Sequence, residues 1–144
     1  MGNSAAVQRD HVEREDLSGR DCREVLDDHF ACRERGDLSA DLARNYAEDV
    51  VVLTPQGCHE GHDGVREAAS LLYEAVHHED GYRYSSIVTD DRVALLEWSA
   101  KNDEMEITDG VDSFLVEDGL IQVQTIRYTV TYSNLSQAKE ASGV

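Results

Sequence analysis

The sequence contains no apolar run approaching the ~20 residues that a membrane-spanning helix requires. Basic residues are scarce: 13 Lys and Arg stand against 30 Asp and Glu, a formal charge of −17 over 144 residues. A surface of that sign repels phosphate backbones and anionic lipid, so neither nucleic acid nor a membrane is expected as a partner. The acidic excess itself is read as a solubilising surface. The opening stretch, MGNSAAVQRDHVEREDLSG, lacks the basic and apolar regions of a secretory signal. Ala6 stands where a myristoylation signal needs Ser or Thr. Glycine-rich phosphate loops, nucleotide fingerprints, repeats and low-complexity tracts are also missing.

Cysteine is sparse and odd in number: Cys22, Cys32 and Cys58. Cys22 and Cys32 fall on one predicted helix, about 15 Å apart at 1.5 Å per residue, too far for a disulfide. A reduced, cytoplasmic protein is the expectation, which makes the sequon Asn134-Leu135-Ser136 a coincidence. Paired CxxC spacings are missing as well. Cys58, His59, Glu60 and His62 form one compact cluster, and His77-His78 close the third predicted helix. Structural zinc sites need a second ligand pair, so neither a metal nor another cofactor is expected. Cys58 has no basic neighbour except His59, so it is not read as a nucleophile. Asp90-Asp91 and Glu117-Asp118 read as solvated turns.

What is present is enough for one domain with a buried core. Residues 1–16 are polar and without apolar period, and read as a flexible arm; 17–132 form the domain; 133–144 read as a loose tail. Helical period begins at Ser18, a candidate N-cap, and Cys22, Val25, Leu26, His29, Phe30 and Arg33 follow an i, i+3, i+4, i+7 pattern to Gly36. His29 thus lies in an apolar stripe. A second helix is expected from Ser39, with Leu42, Ala43 and Tyr46, then a short strand Val50–Thr54 stopped by Pro55. Gln56 to Gly64 reads as loop, with Asp63 capping a third helix that runs to about His77. Four β-rich stretches follow: Tyr82–Thr89, Arg92–Ala100, Glu104–Val116 and Leu120–Tyr132. Their turn-length links force antiparallel pairing, and helices followed by a meander is an α+β order.

The string GDLSADLARNYAEDVVVLTPQG resembles the first helix–helix–strand passage of SnoaL-like proteins, a branch of the NTF2-like superfamily. GHDGVREAASLL is similar to the start of that family's third helix, and GVDSFLVEDGLIQVQTIRY to its last hairpin. The resemblance spans residues 20–132 and implies three helices packed on a strongly curved antiparallel sheet, cone-shaped, around one small-molecule pocket. It also implies a homodimer through the outer sheet faces, with Ile121 and Val123 supplying apolar area.

Ketosteroid isomerases within the superfamily place an oxyanion-holding Tyr eight residues before the Asp of the Gly-Asp-Leu turn, which here is His29. Their oxyanion-holding acid corresponds to Asp112. Their catalytic base, an Asp before the Pro that ends the first strand, corresponds to Thr54, so steroid isomerase chemistry is not expected. The Asp-Arg-Asp set of limonene epoxide hydrolases does not transfer either, because Gly110 stands where the Arg would be. The polyketide cyclase SnoaL works by acid–base chemistry without cofactor, and that chemistry stays open.

Asp112 shares strand parity with Phe114 and Val116, so it is expected to point inward with them. His29 and Asp112 are therefore the candidate catalytic pair. Tyr46, Trp98, Phe114, Gln124 and Tyr128 are the candidate substrate-binding residues for a small, largely apolar or amphipathic molecule. Two readings stay open: an acid–base enzyme, or a binding domain in which His29 is merely a satisfied core residue.

Overall fold

The computed structural model describes residues 17–76 and 81–133, with side chains as far as Tyr73 in the first segment. The expected arm (1–16), tail (from 134) and His77-His78 lie outside the described residues. Helix α1 spans Cys22–Glu34 and buries Cys22, Val25, Leu26, His29 and Cys32. Its cap is Asp21 and not Ser18: Asp21 Oδ1 accepts from the Glu24 N–H at 2.9 Å, and Glu24 Oε1 accepts from the Asp21 N–H at 3.4 Å. This reciprocal pair satisfies two of the amides that a helix start leaves open. Helix α2, Leu38–Asn45, is likewise capped by Asp37 and not Ser39, through an Ala40 N–H bond of 3.0 Å. Gly36 supplies the left-handed turn between them, with φ 70°.

Strand β1 runs Tyr46–Thr54, four residues earlier than its β-branched run suggests. Tyr46 is extended at φ −112°, ψ 133° and starts the strand where a helical residue was expected. The segment read as loop contains strand β2, Gly57–Glu60, and helix α3 starts directly after it, Gly61–Val76. Asp63 therefore sits in the first turn of α3 and does not cap it. Strands β3 (Tyr82–Thr89), β4 (Val93–Lys101), β5 (Met105–Glu117) and β6 (Leu120–Arg127) match the four β-rich stretches. The last stretch breaks at 128–130, and its end, β7 (Thr131–Tyr132), pairs with the start of β5.

The sheet order is β2–β1–β6–β5–β4–β3. Every hairpin is antiparallel, as the short links require, whereas β1 lies parallel to β6. These two strands are joined by the long route through α3 and β3–β5, which frees them from the antiparallel constraint. The result is three helices on a curved, open, mixed sheet. Helix α3 covers β1 and β2, while α1 lies against β4 and β5.

One irregularity decides which residues face the core. Leu115 pairs with Val123 but Val116 pairs with Ile121, leaving Gln122 as an extra residue in β6. Such a bulge reverses the side-chain alternation beyond it. Ile121 is consequently 0% exposed, a core residue and not the outer-face residue expected from simple parity, while Val123 is half-buried.

Candidate functional site

Two consecutive rows of side chains cross the inner face of the sheet. Register places Ala94, Phe114, Gln124, Val52 and His59 in one row across five strands. The next row holds Leu96, Asp112 and Ile126, with Thr54 two residues beyond Val52 on the same face. The opposite face turns Val88, Val93 and Leu95 to solvent.

Asp112 is 8% exposed and held from two sides. Trp98 Nε1 donates to its Oδ1 at 2.9 Å, and Gln124 Nε2 donates to its Oδ2 at 3.1 Å. Tyr46 Oη in turn donates to Gln124 Oε1 at 2.6 Å, so the amide is fixed in one orientation. Burial pushes the Asp112 carboxyl up to about 6, against the opposing pull of the Trp98 and Gln124 bonds and of His29 and Arg33. Burial also pushes the Tyr46 hydroxyl well above its ordinary range. Of the residues selected from sequence, Tyr46, Trp98, Gln124 and Asp112 form a single hydrogen-bonded chain.

His29 is buried in the same interior, with its ring 5.8 Å from that of Tyr46 and 5.9 Å from that of Phe114. Its hydrogen bond, however, goes elsewhere: Nδ1 donates to Asp41 Oδ2 at 2.7 Å. Asp41 is 0% exposed and also accepts from Asn45 Nδ2 at 2.9 Å. His29 and Asp112 thus face one interior without a mutual hydrogen bond. Asp41 went unselected in the sequence because an acid in a short polar helix has no signature of burial. A spacing signal existed only in retrospect, since Asp41 and Asn45 stand at i, i+4.

Trp98 stacks at 5.6 Å from Tyr82 and 5.8 Å from Tyr128, both half-buried. Burial pushes the Tyr128 hydroxyl up, and the nearby Gln56 side chain partly offsets this. Tyr128 thus stands between Trp98 and the β1–β2 turn. At that turn Thr54 Oγ1 lies 2.9 Å from His59 Nε2 and accepts from the Gln56 N–H at 3.2 Å. His59 is 6% exposed and its Nδ1 stands 3.5 Å from Glu67 Oε2 on α3. The sequence pointed to His59 only as a member of the Cys58–His62 cluster. That cluster is splayed: Cys58 is exposed, His59 faces Thr54, and His62 Nε2 meets the Tyr46 carbonyl at 3.0 Å. Cys22 and Cys32 are free and buried. Two open surface depressions, around Arg20, Asp91 and Glu117 and around Val88, Val93 and Leu95, lie away from Asp112.

The sequence profile of the SnoaL-like domain matches residues 26–124, which includes every residue of the Asp112 network. The chain belongs to the SnoaL-like family. No curated protein matches it in sequence. Solved structures resemble this SnoaL-like chain in fold. An NTF-2-like protein from Burkholderia xenovorans LB400 has a TM-score of 0.60 at 18% identity, covering 88% of this chain and 94% of its own. A steroid delta-isomerase from Pseudomonas aeruginosa has a TM-score of 0.59 at 24% identity, covering 74% and 78%. A de novo designed protein with a curved β-sheet reaches 0.61 at 15% identity, covering 74% and 84%. Likeness that includes a designed chain is likeness of architecture, and chemistry must be argued from the site.

Proposed function

We propose that this SnoaL-like domain is a cofactor-independent acid–base enzyme acting on a small, largely apolar carbonyl compound. The observation that carries the reading is Asp112, a buried carboxyl held by Trp98 and Gln124 beneath a wall of aromatic side chains. A carboxyl whose proton affinity is raised by burial supplies a proton, or a hydrogen bond, to an oxygen that gains negative charge. Trp98, Phe114 and Tyr128 would hold the apolar body of the substrate, Tyr46 and Gln124 would keep Asp112 oriented, and His29 would line the same interior. Steroid isomerisation is not proposed, because Thr54 stands where the isomerases carry their base. We place the protein in the cytoplasm, as a homodimer paired through the outer sheet face.

A second reading is favoured by one observation: His29 is already satisfied by Asp41. A pocket without a free proton acceptor binds a hydrophobic metabolite and leaves it unchanged. Incubation of wild-type protein and Asp112→Asn with a panel of cyclic and aryl ketones in D2O separates the two. Exchange of α-protons by wild type and its loss in Asp112→Asn supports the enzyme. Tight binding with no exchange by either protein overturns it in favour of the binding domain.

A further inference from the structure

The Asp41 bond that favours a binding domain engages only one of the two ring nitrogens of His29. Behind that bond a line of side chains runs Arg20–Asn45–Asp41–His29, and its directions follow from the outer end. A guanidinium has no acceptor, so Asn45 turns its oxygen to Arg20, whose Nη1 donates to Asn45 Oδ1 at 2.9 Å. Asn45 Nδ2 is thereby turned to Asp41 and donates to Oδ1 at 2.9 Å. Asp41 Oδ2 faces His29 Nδ1 at 2.7 Å, with the Arg33 guanidinium 4.0 Å from the same oxygen. An amide donor and a cation both favour the ionised carboxylate, which can only accept. Nδ1 therefore carries a proton, and a singly protonated ring presents Nε2 as a bare lone pair. The line is anchored, because Arg20 also donates to the carbonyls of Leu17, Arg44 and Gly119 at 3.0, 2.7 and 2.9 Å.

His29 Nε2 has no hydrogen-bond partner among the described residues, yet it is not sealed off. Every fully buried side-chain nitrogen or oxygen among them is bonded, so the 5% of His29 that stays exposed includes Nε2. Around the ring stand Phe30, Tyr46 and Phe114, with ring centroids 5.2, 5.8 and 5.9 Å away. Of these only Tyr46 has a hydroxyl, and it donates to Gln124. An acceptor set among aromatic rings discriminates by chemistry: it takes an O–H and gives nothing to a carbonyl oxygen. Ring edges and faces on several sides favour an aryl body for the molecule that carries that O–H.

We propose that His29 Nε2 is the recognition point for the hydroxyl of a phenol-like ligand, with Asp41 the positioning residue that keeps the ring in its accepting form. The inference rests on the interior being a ligand site, which both readings above share, and it requires no turnover. Under the enzyme reading it narrows the substrate to a carbonyl compound that also bears an aryl hydroxyl. Arg20 and Asn45 act one step further back, by engaging the other oxygen of Asp41.

The test reads nitrogen-15 spectra of the imidazoles at pH 8, with the His29 signals assigned by their loss in His29→Phe and with 4-cresol and 4-methylanisole as probes. Wild type without a probe should carry the His29 proton on Nδ1 alone. Adding 4-cresol should move the Nε2 resonance upfield, as a lone pair does on accepting a hydrogen bond. It should also bind at least about fivefold more tightly than 4-methylanisole, which has the same ring without the proton. His29→Phe should lose that preference. Asp41→Asn, whose amide can meet the ring as donor or acceptor, should show both tautomers. A resting ring protonated on Nε2, an Nε2 resonance unmoved by 4-cresol, or equal affinity for the two probes overturns the proposal. Asp41→Asn with the wild-type tautomer overturns the part given to Asp41. The wild-type measurements decide the proposal even where a variant does not fold. None of these outcomes involves α-proton exchange, so failure here leaves the enzyme reading standing, and loss of that reading is seen separately with Asp112→Asn.

Discussion

The indole nitrogen of Trp98 donates to Asp112 Oδ1 at 2.9 Å across neighbouring strands, and Gly110, the residue opposite Trp98, makes room for the ring. A Cβ built on Gly110 would stand 2.3 Å from Trp98 Cδ2 and 2.4 Å from Cε2. Gly110 is thus the condition for the indole lying flat on β5 and reaching the carboxyl. The same ring touches Tyr82 and Tyr128, so one backbone position without a side chain organises the aromatic wall.

Gly110→Ala should therefore act on the site through Trp98. The clash forces the indole off its rotamer, at a cost of about 1–3 kcal/mol, and lengthens or breaks its bond to Asp112. Trp98 is the only tryptophan of the chain, so intrinsic fluorescence reports this ring alone. A shifted emission maximum with lower thermal stability is expected. An unchanged emission spectrum would show that the ring has room the geometry does not give it.

Asp112 also makes stability depend on pH in a direction opposite to most carboxylates. Its folded pKa, pushed up to about 6, lies above the unfolded value of about 3.9. The folded state binds the proton more tightly, so the stabilisation is fully present below the unfolded value and is lost as pH rises through about 6. Asp112→Asn removes this dependence. Its amide can keep the Trp98 bond through Oδ1, and a flipped Gln124 can accept from the new Nδ2–H. Relative to wild type, the variant should gain about 2–3 kcal/mol between pH 4 and pH 7.5. Urea melts of both proteins at the two pH values measure it, and parallel curves would contradict the burial argument.

Asp41 is expected to matter more for folding than for binding. Its removal in Asp41→Ala leaves the His29 Nδ1–H and the Asn45 amide without their buried acceptor. Stranded polar groups of this kind cost about 1–3 kcal/mol each. A loss of about 3 kcal/mol in denaturant unfolding is expected, with Asp41→Asn losing less because its carbonyl still accepts one bond. If Asp41→Ala kept wild-type stability, His29 would have to be finding another partner, and a freer role for it would return.

The inward set Asp112, Phe114 and Val116 followed from strand alternation, because a strand with one buried face enforces period two. Ile121 defeated the same rule because a single extra residue, Gln122, reverses the parity, and no residue type announces a bulge. His29 was legible as an interior histidine from its apolar stripe, but its partner was not, since Asp41 comes from another helix and only packing brings the two together. Strand β2 was hidden for a different reason: Gly-Cys-His-Glu is too short and too polar to show a period, and its pairing with β1 is what makes it a strand.

The outer sheet face yields the remaining expectation. Val88 is 61% exposed, Val93 47% and Leu95 43%, and they lie side by side because Val88 pairs with Leu95 across β3 and β4. An apolar patch of this kind on an otherwise strongly acidic chain is the surface that the proposed homodimer would cover. An aspartate at Leu95 places a charge among apolar groups in both copies of a symmetric interface, since each residue of such a contact occurs twice. Leu95→Asp should weaken self-association at least about tenfold, the effect of ~1.4 kcal/mol, while leaving the Trp98 emission spectrum unchanged because the inner face is not touched. Sedimentation velocity across a concentration series reads the first effect and fluorescence the second. A wild-type protein that sediments as a monomer at every concentration would remove the dimer, and a dimer indifferent to Leu95→Asp would place its interface on another face of the molecule.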